Sequence, residues 1–257
     1  MGRSYSTIYT LNNIITLWEV IMKIVLVHGG WQGGWAWDDV AAALEEKGHE
    51  TFHPTMLGHE KNDNRARVTL SKMADDLIGR IKDQGWTEFA IVGHSGGGPL
   101  AQLVADAMPD AVKNITFVDA WVLHDGECIN DVLPAELVGG LTAMASASPD
   151  NTVPMTRELW DNAFMQDADT ESLDRLAQRL ISCPMGWLDQ SIRLNSFWAK
   201  KHPSAYVFLK EDMAMPAEVY RNMASRLENP KTAESPGSHQ AMMTRPRELA
   251  DAIDSVL

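Results

Sequence analysis

The sequence predicts an α/β domain with a mainly parallel, doubly wound sheet and a helical insertion. From residue 23 onward, apolar strand-like runs alternate with amphipathic helical segments, which is typical of a parallel sheet covered on both faces. The 257 residues, 45% of them hydrophobic, suffice for one large core. The alternation breaks between residues 121 and 202. We therefore expect a core of residues 23–120 and 203–257, a helical cap of residues 121–202, and an N-terminal extension, residues 1–22, outside the core.

The elements before the insertion follow from hydrophobic periodicity. Residues 23–27 form the first apolar run, and a helix over 40–46 is ended by Gly48 before a short strand over 51–54. Apolar residues at a 3.6 period predict a helix over 70–81, with Thr69 or Ser71 as its cap and Gly85 at its end. An apolar run at 90–92, a helix over 99–108 and a strand over 115–120 complete this half.

Fewer elements are evident after this point. Helical segments are predicted in the cap over 158–165 and 171–181, and a strand over 205–209 resumes the core pattern. Pro246 at a helix start and the spaced apolar residues Leu249, Ala252, Ile253 and Val256 predict a final helix.

The segment Gly93-His94-Ser95-Gly96-Gly97 follows an apolar strand and leads into a helix. This is the G-x-S-x-G pattern of a nucleophile elbow, a sharp turn that exposes the serine. Gly93 and Gly97 are needed because a Cβ at either position would clash with the neighbouring strand and helix. Ser95 is therefore the candidate nucleophile.

A serine nucleophile needs a histidine base and an orienting acid. His239 lies late in the chain, in a Gly/Ser loop before the final helix, which suits the order Ser, acid, His of this fold. His28 and His94 come too early to be the base. Two acids remain open: Asp212, in the loop after strand 205–209, and Asp119, after the preceding strand. We favour Asp212 and keep Asp119 as the alternative acid.

Two backbone N–H groups are needed to bind the oxyanion. Gly96, directly after Ser95, supplies one, and Gly30 in the glycine-rich loop after the first strand supplies the other, with Trp31 as the adjacent alternative. A phosphate-binding loop is disfavoured because the G-x-G-x-x-G spacing and the Walker lysine are absent.

The insertion is rich in tryptophan and methionine, which favours an apolar or aromatic substrate. The expected pocket residues are Trp31, Trp121, Trp160 and Trp187. Because Gly96 has no side chain, we also expect a wide acyl site beside Ser95.

The net charge and the cysteine content limit the classes of partner and the compartment that we expect. The net charge of −13 disfavours nucleic acid and anionic membranes. Cys128 and Cys183 have no metal-ligand spacing and indicate a reducing compartment, so we expect a cytoplasmic protein without a metal or cofactor. The expected partner is a small apolar or aromatic ester, and a homodimer is possible.

Several motifs together resemble one branch of the α/β-hydrolase superfamily: His28-Gly29-Gly30-x-x-Gly33-x-Trp35-x-Trp37, the Ser95 motif, Glu211-Asp212 and His239. That branch contains plant methyl esterases, salicylate-binding esterases, hydroxynitrile lyases and similar bacterial esterases. The resemblance implies the α/β-hydrolase fold with a helical cap, Asp212 as the acid, and Gly30 and Gly96 as the oxyanion donors.

Three functional hypotheses are compatible with these residues. The first is a carboxylesterase that acts through Ser95, and the second is a receptor-like ligand binder with little turnover. The third is cofactor-independent lyase or dioxygenase chemistry, with His239 as base and Asp119 as its partner. Lyase members of the branch carry a threonine and a lysine where this chain has Gly29 and Gln240, which disfavours cyanide release.

Overall fold

The computed structural model describes residues 21–257, so residues 1–20 of the expected N-terminal extension lie outside the described residues. The first part of the described chain forms four strands and three helices. These are β1 (Lys23–Val27), α1 (Asp38–Glu46), β2 (Glu50–Phe52), α2 (Leu70–Asp83), β3 (Phe89–His94), α3 (Gly97–Ala107) and β4 (Val112–Val118). A 3₁₀ turn, Gly34–Trp37, precedes α1.

The insertion after β4 is mainly helical. Its elements are α4 (Ile129–Val132), α5 (Ala135–Ala147), β5 (Thr152–Val153), α6 (Arg157–Leu159), α7 (Thr170–Ala177), β6 (Cys183–Pro184), α8 (Met185–Leu188) and α9 (Phe197–Lys200). A π-helical turn, Trp160–Phe164, continues α6 directly. The strands β5 and β6 pair antiparallel as a small separate sheet.

The chain then returns to the core. The last elements are β7 (Ser204–Leu209), α10 (Ala217–Ser225), β8 (Lys231–Ser235), α11 (Ala241–Thr244) and α12 (Pro246–Asp254). The six core strands form one sheet in the order β2-β1-β3-β4-β7-β8, and each neighbouring pair is parallel. All strands therefore end at the same edge, which is where side chains for a site can meet.

Both faces of the sheet are covered. One face packs against α1 and α12, through buried residues that include Val40, Leu44, Leu249 and Ile253. The other face packs against α2, α3 and α10, and its larger cluster continues into the cap. This is the doubly wound arrangement that the sequence predicts.

Three core elements have no counterpart in the sequence prediction: the strand β8, the helix α10 and the short helix α11. The edge strand β8 reads Lys-Thr-Ala-Glu-Ser and buries only Ser235, so it lacks the apolar run by which the other strands are recognised. Helix α10 follows Pro216 and buries Tyr220, Met223 and Ala224. Two predicted strands also shift: β2 begins and ends earlier than 51–54, and β4 earlier than 115–120.

The start of α3 illustrates how closely the core elements approach one another. A Cβ on Gly98 would lie 2.2 Å from the Trp121 carbonyl oxygen. By contrast, a Cβ on Gly79 in α2 would have no neighbouring atom within 4 Å. The two glycines therefore form a matched pair for testing this packing.

We expect Gly98→Ala to lower the free energy of unfolding by about 1–3 kcal/mol, because backbone must move to admit the methyl group. Gly79→Ala should raise it by about 0.5–1 kcal/mol, because alanine favours the helix at an uncrowded position. Urea unfolding followed by circular dichroism measures both. Equal effects of the two substitutions would contradict the close approach at α3.

Candidate active site

Ser95 lies on the turn between β3 and α3 with a positive φ of 52°. The turn brings backbone so close that side chains are excluded: a Cβ on Gly93 would lie 2.7 Å from the Gly97 oxygen, and one on Gly97 would lie 2.6 Å from the Val27 oxygen. The steric reason given for these glycines from the sequence is thus confirmed. The turn holds Ser95 at the carboxyl end of the sheet, in the wall of a cavity.

His239 reaches the same cavity from the loop between β8 and α11. Its Nδ1 lies 2.5 Å from Oδ2 of Asp212, and both side chains are almost completely buried, at 3% and 2% exposed. Asp212 comes from the loop after β7, and its Oδ1 accepts a hydrogen bond from the Ala214 N–H. Burial alone would raise the pKa of Asp212, but the electrostatic interaction with His239 and the hydrogen bonds from His239 and Asp119 hold this pKa below its ordinary value.

Asp119, the alternative acid, contacts Asp212 rather than forming the hydrogen bond to His239. It follows β4 with a positive φ of 34°, and its Oδ2 accepts a hydrogen bond from the Leu209 N–H. Burial, together with the neighbouring Asp212 carboxylate, raises the pKa of Asp119 well above its ordinary value. The raised pKa of Asp119 and the lowered pKa of Asp212 indicate that the pair holds its proton on Asp119, so that Asp212 is the ionised partner of His239.

Sequence reasoning missed Tyr220, which is buried in α10 and lines the cavity. Its hydroxyl lies 3.4 Å from His239 Nδ1. The spacing of Tyr220, Met223 and Ala224 is the sequence signal that could have identified this inward-facing helix side.

The predicted oxyanion donors, Gly30 and Gly96, both line the cavity beside Ser95. Among the hydrogen bonds of the described residues, none uses the backbone N–H of Gly30 or Gly96. Two amides without an internal acceptor at one cavity wall can bind a negatively charged oxygen. Trp31, the adjacent alternative, has a positive φ of 66° and is fixed to the cap, since its Nε1 donates to the Val153 oxygen.

The expectation of a wide site beside Gly96 is wrong. The Trp187 indole occupies this space: a Cβ on Gly96 would lie 3.4 Å from two of its ring carbons. In addition, Trp187 Nε1 donates a hydrogen bond of 2.9 Å to the Gly96 oxygen. The side chain that Gly96 lacks is thus replaced by a ring that the cap supplies.

The cavity around Ser95 has a volume of about 110 Å³, and its walls are almost entirely apolar. Of the predicted pocket residues, Trp31, Trp121 and Trp187 line it. The cap contributes most of the others: Ile129, Leu133, Leu137, Leu141, Leu159, Phe164, Cys183 and Leu188.

Trp160 does not line this cavity. It is fully buried and packs within the cap against Phe164, Met165 and Leu176. The reason is the π turn, in which the Met165 N–H bonds to the Trp160 oxygen, five residues back. The wider turn shifts which residues share a face, so that Leu159 and Phe164 reach the cavity instead of Trp160.

The cavity wall also contains a thiol. Cys183 is fully buried, its Sγ would lie 3.7 Å from a Cβ on Gly30, and burial raises its pKa to about 12.

Within residues 21–257, no cluster of three or more histidine, cysteine or acidic side chains could hold a metal ion. None of the helices in the same range is long and apolar enough to cross a membrane.

A serine on a strand-to-helix turn, beside a histidine–aspartate pair at the carboxyl edge of a doubly wound sheet, defines an α/β-hydrolase-type protein. Residues 24–252 match the family model described as "Alpha/beta hydrolase family", so the chain belongs to the α/β-hydrolase family.

Individual relatives agree with this assignment. The chain is 26% identical over 244 residues to carbendazim hydrolyzing esterase of a Nocardioides species, across 90% of this chain and 98% of that protein. It is 25% identical over 247 residues to alpha-hydroxynitrile lyase of Arabidopsis thaliana, across 90% and 95% of the two chains.

Among solved structures, an extracellular alpha/beta-hydrolase from a Paenibacillus species superposes with a TM-score of 0.87 at 28% identity. The match covers 91% of this chain and 98% of that chain, and that protein is described as sharing structural and functional homology with tobacco salicylic acid binding protein 2. The fold and the resemblance to this branch are thereby confirmed.

Three buried histidines surround the site. His28 donates from Nδ1 to the Gly29 oxygen and accepts at Nε2 from the Met56 N–H, and burial lowers its pKa to about 4. Burial likewise lowers the pKa of His59 and of His94 well below the ordinary value. All three rings are therefore neutral in the folded protein at neutral pH.

We expect the free energy of unfolding to fall as the pH is lowered from about 6.5 towards 5. The unfolded chain binds a proton at His28 below its ordinary pKa, whereas the folded protein does not until the pH approaches 4, so acid favours unfolding. Each such histidine contributes a slope of about 1.4 kcal/mol per pH unit.

Urea unfolding at several pH values between 5 and 6.5 measures this slope. His28→Gln, which keeps a donor and an acceptor but does not titrate, should reduce the slope by about 1.4 kcal/mol per pH unit. The matched control is His124→Gln at an exposed position. An unchanged slope in His28→Gln would show that His28 is not buried as a neutral ring.

Proposed function

We propose that this protein is a serine esterase that cleaves small, apolar or aromatic carboxylic esters through an acyl-enzyme. One observation carries the proposal: the cavity that contains Ser95 also contains His239, whose Nδ1 is paired with Asp212 at 2.5 Å. The apolar walls favour an uncharged substrate. The similarity to carbendazim hydrolyzing esterase and to the Paenibacillus hydrolase supports esterase-type chemistry.

The proposed reaction begins with the His239 tautomer. Because Nδ1–H donates to Asp212, Nε2 is left free to accept the proton of the Ser95 hydroxyl. The serine oxygen attacks the ester carbonyl, and the backbone N–H groups of Gly30 and Gly96 stabilise the oxyanion. His239 then protonates the departing alcohol. Water, deprotonated by His239, attacks the acyl-enzyme and releases the acid, which returns Ser95 to its starting state.

Two observations favour hydrolysis over the other chemistries on this fold. The residue after His239 is Gln240, an uncharged and buried side chain that does not stabilise departing cyanide. The carboxylate bonded to His239 belongs to Asp212, whereas the oxygenase alternative needs Asp119 in that place. A receptor-like protein would share the apolar cavity, so turnover is the property that separates it from an esterase.

The direct test combines a fluorophosphonate probe with a panel of 4-nitrophenyl and methyl esters. We expect the probe to label Ser95, and Ser95→Ala to abolish labelling and reduce kcat at least about 10³-fold. His239→Ala should cost a similar factor, and the double variant should lose little more, because the two groups act as a unit. Tight ester binding without labelling or turnover would refute the esterase and favour a receptor.

The two aspartates should differ sharply in ester turnover. Asp212→Asn should reduce kcat on the order of 10³- to 10⁴-fold, because an amide holds His239 in the wrong tautomer. Asp119→Asn should reduce kcat by at most about tenfold, since an amide N–H can still donate to Asp212 as the protonated carboxyl does. Steady-state kinetics on the two variants, with folding checked by circular dichroism, distinguish Asp212 from Asp119 as the acid. The reverse order would make Asp119 the acid.

A further inference from the structure

A groove on the outer side of the cap lies next to the cavity around Ser95. It runs between α5, β5 and the π turn, and its volume of about 420 Å³ is about four times that of the cavity. Met144 and Ala163 line the groove without reaching the cavity, as do Val153 and Pro154.

The groove and the cavity share part of their walls. Trp31, Leu137, Leu141 and Leu159 line both spaces, so these four side chains form the partition between them. Leu159 is 37% exposed, and Leu137 is half-buried. Exposed side chains change rotamer on the picosecond to nanosecond scale, so Leu159, and to a lesser degree Leu137, are the movable part of the partition.

The chemistry of the groove favours an uncharged apolar occupant. Most of its lining is apolar, including Trp31 and the partition leucines, and Thr156 and Asn162 are its uncharged polar lining residues. Glu158 is its single charged lining residue among the described part of the chain. Together with the net charge of −13, this carboxylate disfavours an anionic group.

The small volume of the inner cavity limits the length of ester that can lie entirely inside it. The inner cavity, at about 110 Å³, lies below the range of roughly 300–1,000 Å³ that is typical of ligand pockets. A longer ester with its carbonyl at Ser95 must extend elsewhere, and the partition leucines are the part of the wall that faces an open space.

We propose that the groove is a second substrate subsite, which binds an elongated, uncharged alkyl or aryl group of an ester whose carbonyl lies at Ser95. The inference rests on the proposed esterase function and specifies its substrate class. The preferred esters carry one short side, held in the inner cavity, and one long apolar side, which passes the partition leucines and lies along α5.

The kinetic test uses two ester series, 4-nitrophenyl esters from acetyl to octanoyl and alkyl acetates from methyl to octyl. In at least one series, kcat/KM of the wild-type protein should rise at least about tenfold with chain length, as burial of successive methylene groups requires. Met144→Trp, which fills the groove, should lower the long-to-short ratio of kcat/KM at least about tenfold. Thr142→Trp, on an exposed part of α5 outside the groove, is the matched control and should leave the ratio unchanged.

A binding measurement separates failure of the subsite from failure of the esterase proposal. Calorimetric titration with inert primary amides from propanamide to octanamide should show affinity that rises with length in the wild-type protein and in Thr142→Trp, but not in Met144→Trp. This readout requires no catalysis. A length preference that is absent, or that Met144→Trp leaves intact in both assays, would overturn the subsite whether or not Ser95 is a nucleophile.

Discussion

The positive φ of Ser95 is the constraint on which the rest of the site depends. The turn that carries it is tight, because β1, β3 and α3 approach so closely that Gly93 and Gly97 have no room for a side chain. The turn cannot relax unless β1 and α3 separate, and both are part of the buried core. The position of the serine is thus set by the packing of the whole sheet, and every other functional group is placed relative to it.

The two buried aspartates show how the fold holds a negative charge in a nearly dry environment. Two neighbouring ionised carboxylates in a buried site would repel each other, which favours keeping the proton on Asp119. The ionised Asp212 then receives hydrogen bonds from both sides, from His239 and from Asp119. Asp119, which is a competing acid candidate in the sequence, therefore lies beside the ionised carboxylate in the structure. Burial raises the pKa of both residues, and only Asp212 is paired with His239, which lowers its pKa again.

Sequence reasoning recovered the features that depend on local pattern. The glycine spacing around Ser95 identified the turn, and strand–helix alternation identified the doubly wound sheet. Features that depend on distant residues were not recoverable. The space beside Gly96 is filled by Trp187, 91 positions later, and no local signal links the two. Trp160 was misplaced because a π turn changes the helical period, and the edge strand β8 is too polar to show the usual apolar run.

Hydrogen bonds between the cap and the loop that carries His239 constrain how the cap can move. Asp167 of the cap accepts hydrogen bonds from the Ser238 N–H and the Thr244 hydroxyl, and the Gln240 N–H donates to the Phe164 oxygen. An outward hinge motion of the cap as a rigid body would break these bonds and disturb the position of His239. Rotation of the exposed Leu159 side chain leaves these bonds intact and belongs to the picosecond to nanosecond motions, whereas hinge motions take microseconds to milliseconds. The surface of the cap can thus change shape on the nanosecond scale while the loop that carries His239 stays in place.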